Sequence, residues 1–195
     1  SNTALFKQDV ELAQKVIADD TEIDRLEVEL EEECLKVLAL YQPVAADLRF
    51  VVAVLKINND LERIGDLASN IAKTVSQLTT TGPLELPEEI SRMAKQVEEM
   101  VKNSLDAVVK ADTNLARQVR REDDIVDAGR HTVRKLVMQQ IKKDPEKVEG
   151  LLQINSISKH LERIADMATN IAEDVIYMVE GEIVRHRHRD DVIST

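Results

Sequence analysis

Glu62 with Asp66 and, one hundred residues on, Glu162 with Asp166 are the side chains of this sequence best placed to do chemistry. Each pair is spaced i, i+4. On an α-helix that spacing makes the side chains neighbours, roughly 5–6 Å apart between Cβ atoms, so their oxygens can close on one cation. The same spacing recurs upstream as Asp20 with Asp24 and as Asp123 with Asp127. Each half of the chain therefore offers four carboxylates from two helices. Hard oxygen donors in that number suit Mg²⁺, Mn²⁺, Ca²⁺ or iron better than a tetrahedral zinc or a copper site. Arg63 and Arg163 follow the two glutamates and can offset surplus charge or pair with Asp66 and Asp166 at i, i+3. An acidic row on a helix is ordinarily a solvated face. Duplication weighs against that here: the second copy keeps Glu162, Arg163, Asp166 and Asn170 in register while other polar positions drift, Lys73 against Glu173 and Asp60 against His160.

These pairs sit in an internal repeat. Residues 57–75 and 157–175 align without a gap and share 11 of 19 positions, which marks two copies of one supersecondary unit. Ile57, Leu61, Ile64, Ala68, Ile71 and Val75 step by four and three and form one apolar stripe for helix packing. With Ile57 set at zero, Glu62 falls near 140° and Asp66 near 180°, on a row extended by Asn58 and Asn70, so the acidic row is expected to face away from the core. Upstream, Asp9, Leu12, Ala13, Val16, Asp20 and Asp24 match Asp112, Leu115, Ala116, Val119, Asp123 and Asp127 at an offset of 103.

Only 2% of the residues are aromatic, and Gly and Pro are scarce, a long-helix composition that predicts an all-α fold. Asp9 is read as the cap of a helix to about Tyr41, with Pro43 in the first turn of the next. Ile23, Leu26, Leu30, Cys34, Val37 and Tyr41 form its apolar register, and Cys34 is read as packing. Thr79–Pro87 is the linker, followed by helices from Pro87 to about Lys110, from Asp112 to Lys142, and from Pro145 to Gly181. The sequence therefore divides into a first repeat at 1–81, a second at 87–185 and a tail at 186–195. The tail, with alternating Arg185, His186, Arg187, His188 and Arg189, reads as frayed and basic rather than metal-binding. The second repeat has three helices. The first has two, since the partner of 87–110 would precede residue 7, and apolar surface of the first bundle is expected to stand open.

A net charge of −11 without a clustered basic face argues against a nucleic-acid partner. Cys34 is the only cysteine, no stretch is apolar enough to span a membrane, and the cytoplasm is the default location. A carboxylate-bridged diiron enzyme needs Glu-x-x-His pairs, which are absent, and no Ser, Cys or His constellation suggests a nucleophile. A helical adaptor with solvated acidic rows and no specific metal is the remaining alternative.

Leu40-Tyr41-Gln42-Pro43-Val44-Ala45-Ala46-Asp47-Leu48-Arg49, Leu61-Glu62-Arg63-Ile64-Gly65-Asp66, and the run from Leu161 through Asp174 to Val179-Glu180-Gly181-Glu182-Ile183-Val184-Arg185-His186 resemble the PhoU family. The resemblance covers nearly the whole chain. It implies two tandem three-helix bundles bearing metal clusters on Glu/Asp-x-x-x-Asp motifs, which here are Asp20, Asp24, Glu62 and Asp66, then Asp123, Asp127, Glu162 and Asp166. It implies iron, with manganese, magnesium or zinc as alternatives. It also implies a non-enzymatic, homodimeric, cytoplasmic regulator that represses the phosphate-starvation response. Its partners would be the ATPase subunit of the phosphate-specific ABC transporter and a sensor histidine kinase, so membrane contact would be indirect.

Overall fold

The computed structural model describes residues 1–80 and 85–184, and every regular element among them is helical. In chain order these are α1 (Asn2–Lys7), α2 (Val10–Tyr41), α3 (Ala45–Thr80), α4 (Glu88–Lys110), α5 (Thr113–Lys143), a 3-10 turn at Pro145–Lys147 and α6 (Val148–Glu180). The middle of the expected linker, 81–84, and the tail from 185 onward lie outside the described residues.

Two of the turns are the same device built twice. Asp9 caps α2 by accepting from Leu12 N at 2.9 Å, and Asp112 caps α5 by accepting from Asn114 N and Leu115 N at 2.9 and 3.0 Å. Each aspartate follows a left-handed residue, Gln8 at φ 51° and Ala111 at φ 49°, that ends the helix before it. These side-chain oxygens satisfy amides the first helical turn leaves unpaired. At the offset of 103, α1 therefore occupies in the first repeat the place held by the end of α4 in the second.

Three boundaries differ from expectation. Pro43 precedes α3, which begins at Ala45 with that residue at φ 49°. Pro87 caps α4 from outside, and Pro145 opens the 3-10 turn while α6 begins at Val148. Proline tolerates these positions because none needs its missing N–H. Gly181, at φ 74°, ends α6 as expected.

Helices α4, α5 and α6 form one bundle, and α1, α2 and α3 its counterpart. The motif helices α3 and α6 pack side by side in opposite directions: Lys56 Nζ lies 3.4 Å from Asp174 Oδ1 and 5.1 Å from the centre of the Tyr177 ring, while Ile64 and Ala68 share a groove with Ile164 and Leu161. The stripe Ile157, Leu161, Ile164, Ala168, Ile171 and Val175 is fully buried. In α3 the ends of the matching stripe are buried but Leu61, Ile64 and Ala68 are only half-buried.

The cause is visible on α2. Val126 and Val133 of α5 are 1% and 0% exposed beneath α4, whereas their counterparts Ile23 and Leu30 are 37% and 40% exposed. Six residues of α1 cannot cover what the longer α4 covers. The open apolar surface is thus present where the repeat places it, and it corrects the α2 register: Ile23, Leu26 and Leu30 face outward, while Cys34 is buried and its thiol pKa is pushed up by burial.

Candidate metal centre

All eight predicted carboxylates lie on two helix seams, four on α2 and α3 and four on α5 and α6. Asp20, Glu62, Asp123 and Glu162 are half-buried; Asp24, Asp66, Asp127 and Asp166 open to solvent. At the first seam Gly65 is the point of close approach, since a Cβ there would stand 3.0 Å from Ile23 Cδ1 and 3.2 Å from Asp20 Oδ1. The missing side chain lets α2 bring Asp20 in beside the Glu62–Asp66 turn.

At each seam the carboxylates act on one member of the set. Burial raises the pKa of Glu62, and the negative charges of Asp66, Glu27 and Asp24 raise it further. At the second seam burial lifts Asp166 from its ordinary 3.8 to about 6, with Asp123, Glu162 and Asp127 adding to the shift. The three carboxylates that add to the shift are the rest of the predicted set. Desolvation and like charge both disfavour the ionised form.

The acidic pairs face away from the core stripe, as the wheel suggested, but not into open solvent along their whole length. The row runs along the contact with the flanking helix. Asn58, placed on that row by periodicity, is buried and donates from Nδ2 to the Glu27 carbonyl oxygen at 2.8 Å, so it ties α3 to α2. Asn70 Oδ1 accepts from Lys73 Nζ at 3.5 Å. Among the described residues neither Arg63 nor Arg163 forms an ion pair; each offsets carboxylate charge through space only.

A twice-built unit with one acidic pair per motif helix decides the family, and the PhoU domain family matches at residues 1–75 and again at 90–175. The chain belongs to the PhoU family. The phosphate-specific transport system accessory protein PhoU homolog of Aquifex aeolicus is 44% identical over 185 residues, spanning 95% of this chain and 84% of that protein. The homolog from Pseudomonas aeruginosa is 40% identical over 94% of this chain and 76% of its own length. The crystal structure of PhoU from Pseudomonas aeruginosa superposes with a TM-score of 0.89 at 39% identity, covering 93% of this chain and 87% of that one. The phosphate transport system regulatory protein PhoU from Streptococcus pneumoniae gives 0.85 at 33% identity, over 93% and 86%.

Within this PhoU fold the two seams are not equal, which the motif spacing alone missed. The fifth carboxylate near Glu62 is Glu27; the residue at the matching position, 103 later, is Arg130. Arg130 Nε lies 3.4 Å from Glu162 Oε2, and its Nη1 donates to Asn155 Oδ1 at 3.1 Å. The first seam thus gathers five carboxylates, the second four and a guanidinium. Extending the upstream alignment by one helical turn would have found both residues.

The donor set is entirely hard oxygen, which fits a hard cation in charge and chemistry. Among the described residues, however, no three Asp, Glu, His or Cys side chains already converge as a ligand cluster.

The raised Asp166 pKa has a stability consequence. Its folded value, about 6, lies above its ordinary 3.8, so ionisation opposes folding: the cost is absent near pH 4, grows through pH 4–6 and is complete above. Because Asp166 opens to solvent, screening reduces that cost to about 1 kcal/mol. Asp166→Asn is expected to raise stability by that amount at pH 7.5 and to leave it unchanged at pH 4, measured by urea unfolding of chelator-treated protein at both pH values.

Proposed function

We propose that this chain is a non-enzymatic, metal-binding regulator of phosphate uptake, acting with a phosphate-specific ABC transporter. The observation that carries the reading is the duplicated carboxylate set on two exposed seams of a PhoU-family chain, each with a member whose pKa burial and its acidic neighbours raise. Asp20, Asp24, Glu62 and Asp66, with Glu27, would hold an ion at the first seam; Asp123, Asp127, Glu162 and Asp166 would hold one at the second. Iron is the proposed metal, with manganese, magnesium or zinc as alternatives. Bound there, a cation supplies positive charge and open coordination positions on an otherwise acidic surface.

The protein's own residues do the rest. Gly65 sets the distance between α2 and α3, Arg130 tempers the second set, and the rigid α3–α6 pair fixes the seams relative to one another. Among the described residues no helix is long and apolar enough to cross a membrane. In this reading the chain works at the inner membrane face through partners. Those partners are the transporter's ATPase subunit and a sensor histidine kinase, whose starvation response a PhoU homodimer represses. The exposed apolar side chains of α2 and of the Tyr41–Val44 turn provide docking area.

A second reading, a helical adaptor with no specific metal, is favoured by the lack of a ready-made ligand cluster among the described residues. One experiment separates them. Glu62→Ala with Asp66→Ala, expressed in phosphate-replete cells in place of the native protein, is expected to de-repress a starvation-response reporter at normal protein level; full repression by this variant would leave the adaptor.

A further inference from the structure

Helices α2 and α5 are copies of one helix with opposite charge. α2 carries ten acidic and three basic residues, whereas α5 carries four acidic and eight basic. Part of the difference is spent inside the chain, where Arg117, Arg120 and Arg130 of α5 pair with Glu180, Glu173 and Glu162 of α6. The rest gathers on one face. At the offset of 103, Glu31 is answered by Arg134, Glu32 by Lys135 and Ala39 by Lys142, while the apolar position among them is kept, Leu35 against Met138. Asp24 and Asp127, which belong to the carboxylate sets, keep their sign.

These side chains have no work within the monomer. Val28, Leu35 and Met138 are 50, 52 and 53% exposed, and Glu31, Glu32, Arg134 and Lys135 are exposed and form no ion pair among the described residues. With Ile23 set at zero, Glu31, Leu35, Val28 and Glu32 fall at about 80° to 180°, across α2 from Ile23 and Leu30. They therefore lie on the side of the α2-α3-α6-α5 layer opposite α1 and α4, which share a groove with α3 and α6 on the other side. The exchange of α3 with α6 that relates the repeats carries the α2 patch onto the α5 patch, so both open on that one side. A single twofold axis in its plane then lays each patch on its opposite in a second copy. Pairing α2 with α2 would instead set like charges together. A basic partner would use α2 alone and an acidic one α5 alone; a second copy uses both at once.

We propose that a second copy of this chain docks on this side, with Glu31 and Glu32 of each copy facing Arg134 and Lys135 of the other and with Val28, Leu35 and Met138 covered between them. The contact is made twice and closes at a dimer. It is the surface of the homodimer proposed above, and assigning it rests on that reading.

The test is sedimentation equilibrium of the full chain at low and high salt. The parent is expected to dimerise, and to dissociate more readily as salt screens the facing charges. Glu31→Lys with Glu32→Lys should weaken the dimer at least about tenfold, and Arg134→Glu with Lys135→Glu should do the same. Combining all four exchanges the charges of the two faces and should return the affinity to within about threefold of the parent. The four side chains are exposed, so each variant should keep its helical melt. Lys95→Glu with Lys102→Glu, an equal charge change on α4 across the layer, should dimerise as the parent does. A dimer indifferent to the α2 and α5 changes, no recovery in the combined variant, or an equal loss in the α4 control would overturn this surface and leave the homodimer to another. A monomeric parent would overturn the homodimer and the surface together.

Discussion

Leu161→Ala is expected to destabilise the protein by about 3 kcal/mol, whereas Leu61→Ala, the same change one hundred residues earlier, should cost about 1 kcal/mol. The two leucines hold the same register on duplicated helices. Leu161 is 1% exposed, packed among α4, α5 and α6, and truncation there leaves a cavity that rigid long helices cannot collapse. Leu61 is half-buried, so less area is lost and water fills the gap. Urea midpoints with unchanged slopes measure both. Equal costs would mean that the first bundle is covered as completely as the second, by a second copy of the chain for example, and repeating the pair at low protein concentration would expose that.

Arg130→Ala is expected to tighten Mn²⁺ binding at the second seam by about tenfold, measured calorimetrically in a Glu62→Ala, Asp66→Ala background. The guanidinium is largely buried against Glu162 and competes with any cation drawn to that set. Removing it leaves four carboxylates whose charge only the exposed Arg163 offsets, through space, which makes the apo protein less stable and the metal-bound state relatively more favourable. The first seam, with Glu27 at the matching position, is already in that condition, so the parent should fill it first. Unchanged affinity in the variant would place Arg130 outside the field of the set, contrary to the 3.4 Å contact.

Much of this molecule is written in short-range patterns. The caps at Asp9 and Asp112, the ends of the long helices and the pairing of Asp20 and Asp24 with Glu62 and Asp66 all follow from helical spacing and from comparing one half of the chain with the other. What periodicity could not supply is which element covers a face. Ile23, Leu26 and Leu30 carry the right spacing for a core, but among the described residues no helix packs over them as α4 does over Val126 and Val133, a matter of tertiary contact, and they face outward. Asn58 belonged to the acidic row by angle, but α2 passes over that position and uses it as a tie. Glu27 and Arg130 lie one turn beyond the strongest match, where the copies diverged in charge and similarity no longer points. Their importance emerges only when burial and neighbouring charge are known.

The most direct test of the account is metal analysis of the protein purified without chelator or nickel resin, beside a variant with Glu62, Asp66, Glu162 and Asp166 all changed to alanine. The account predicts near-stoichiometric iron, or manganese or zinc in its place, in the parent and none in the variant, both remaining folded. No metal in either protein, even after soaking, would contradict it and leave two acidic seams whose only work is solvation.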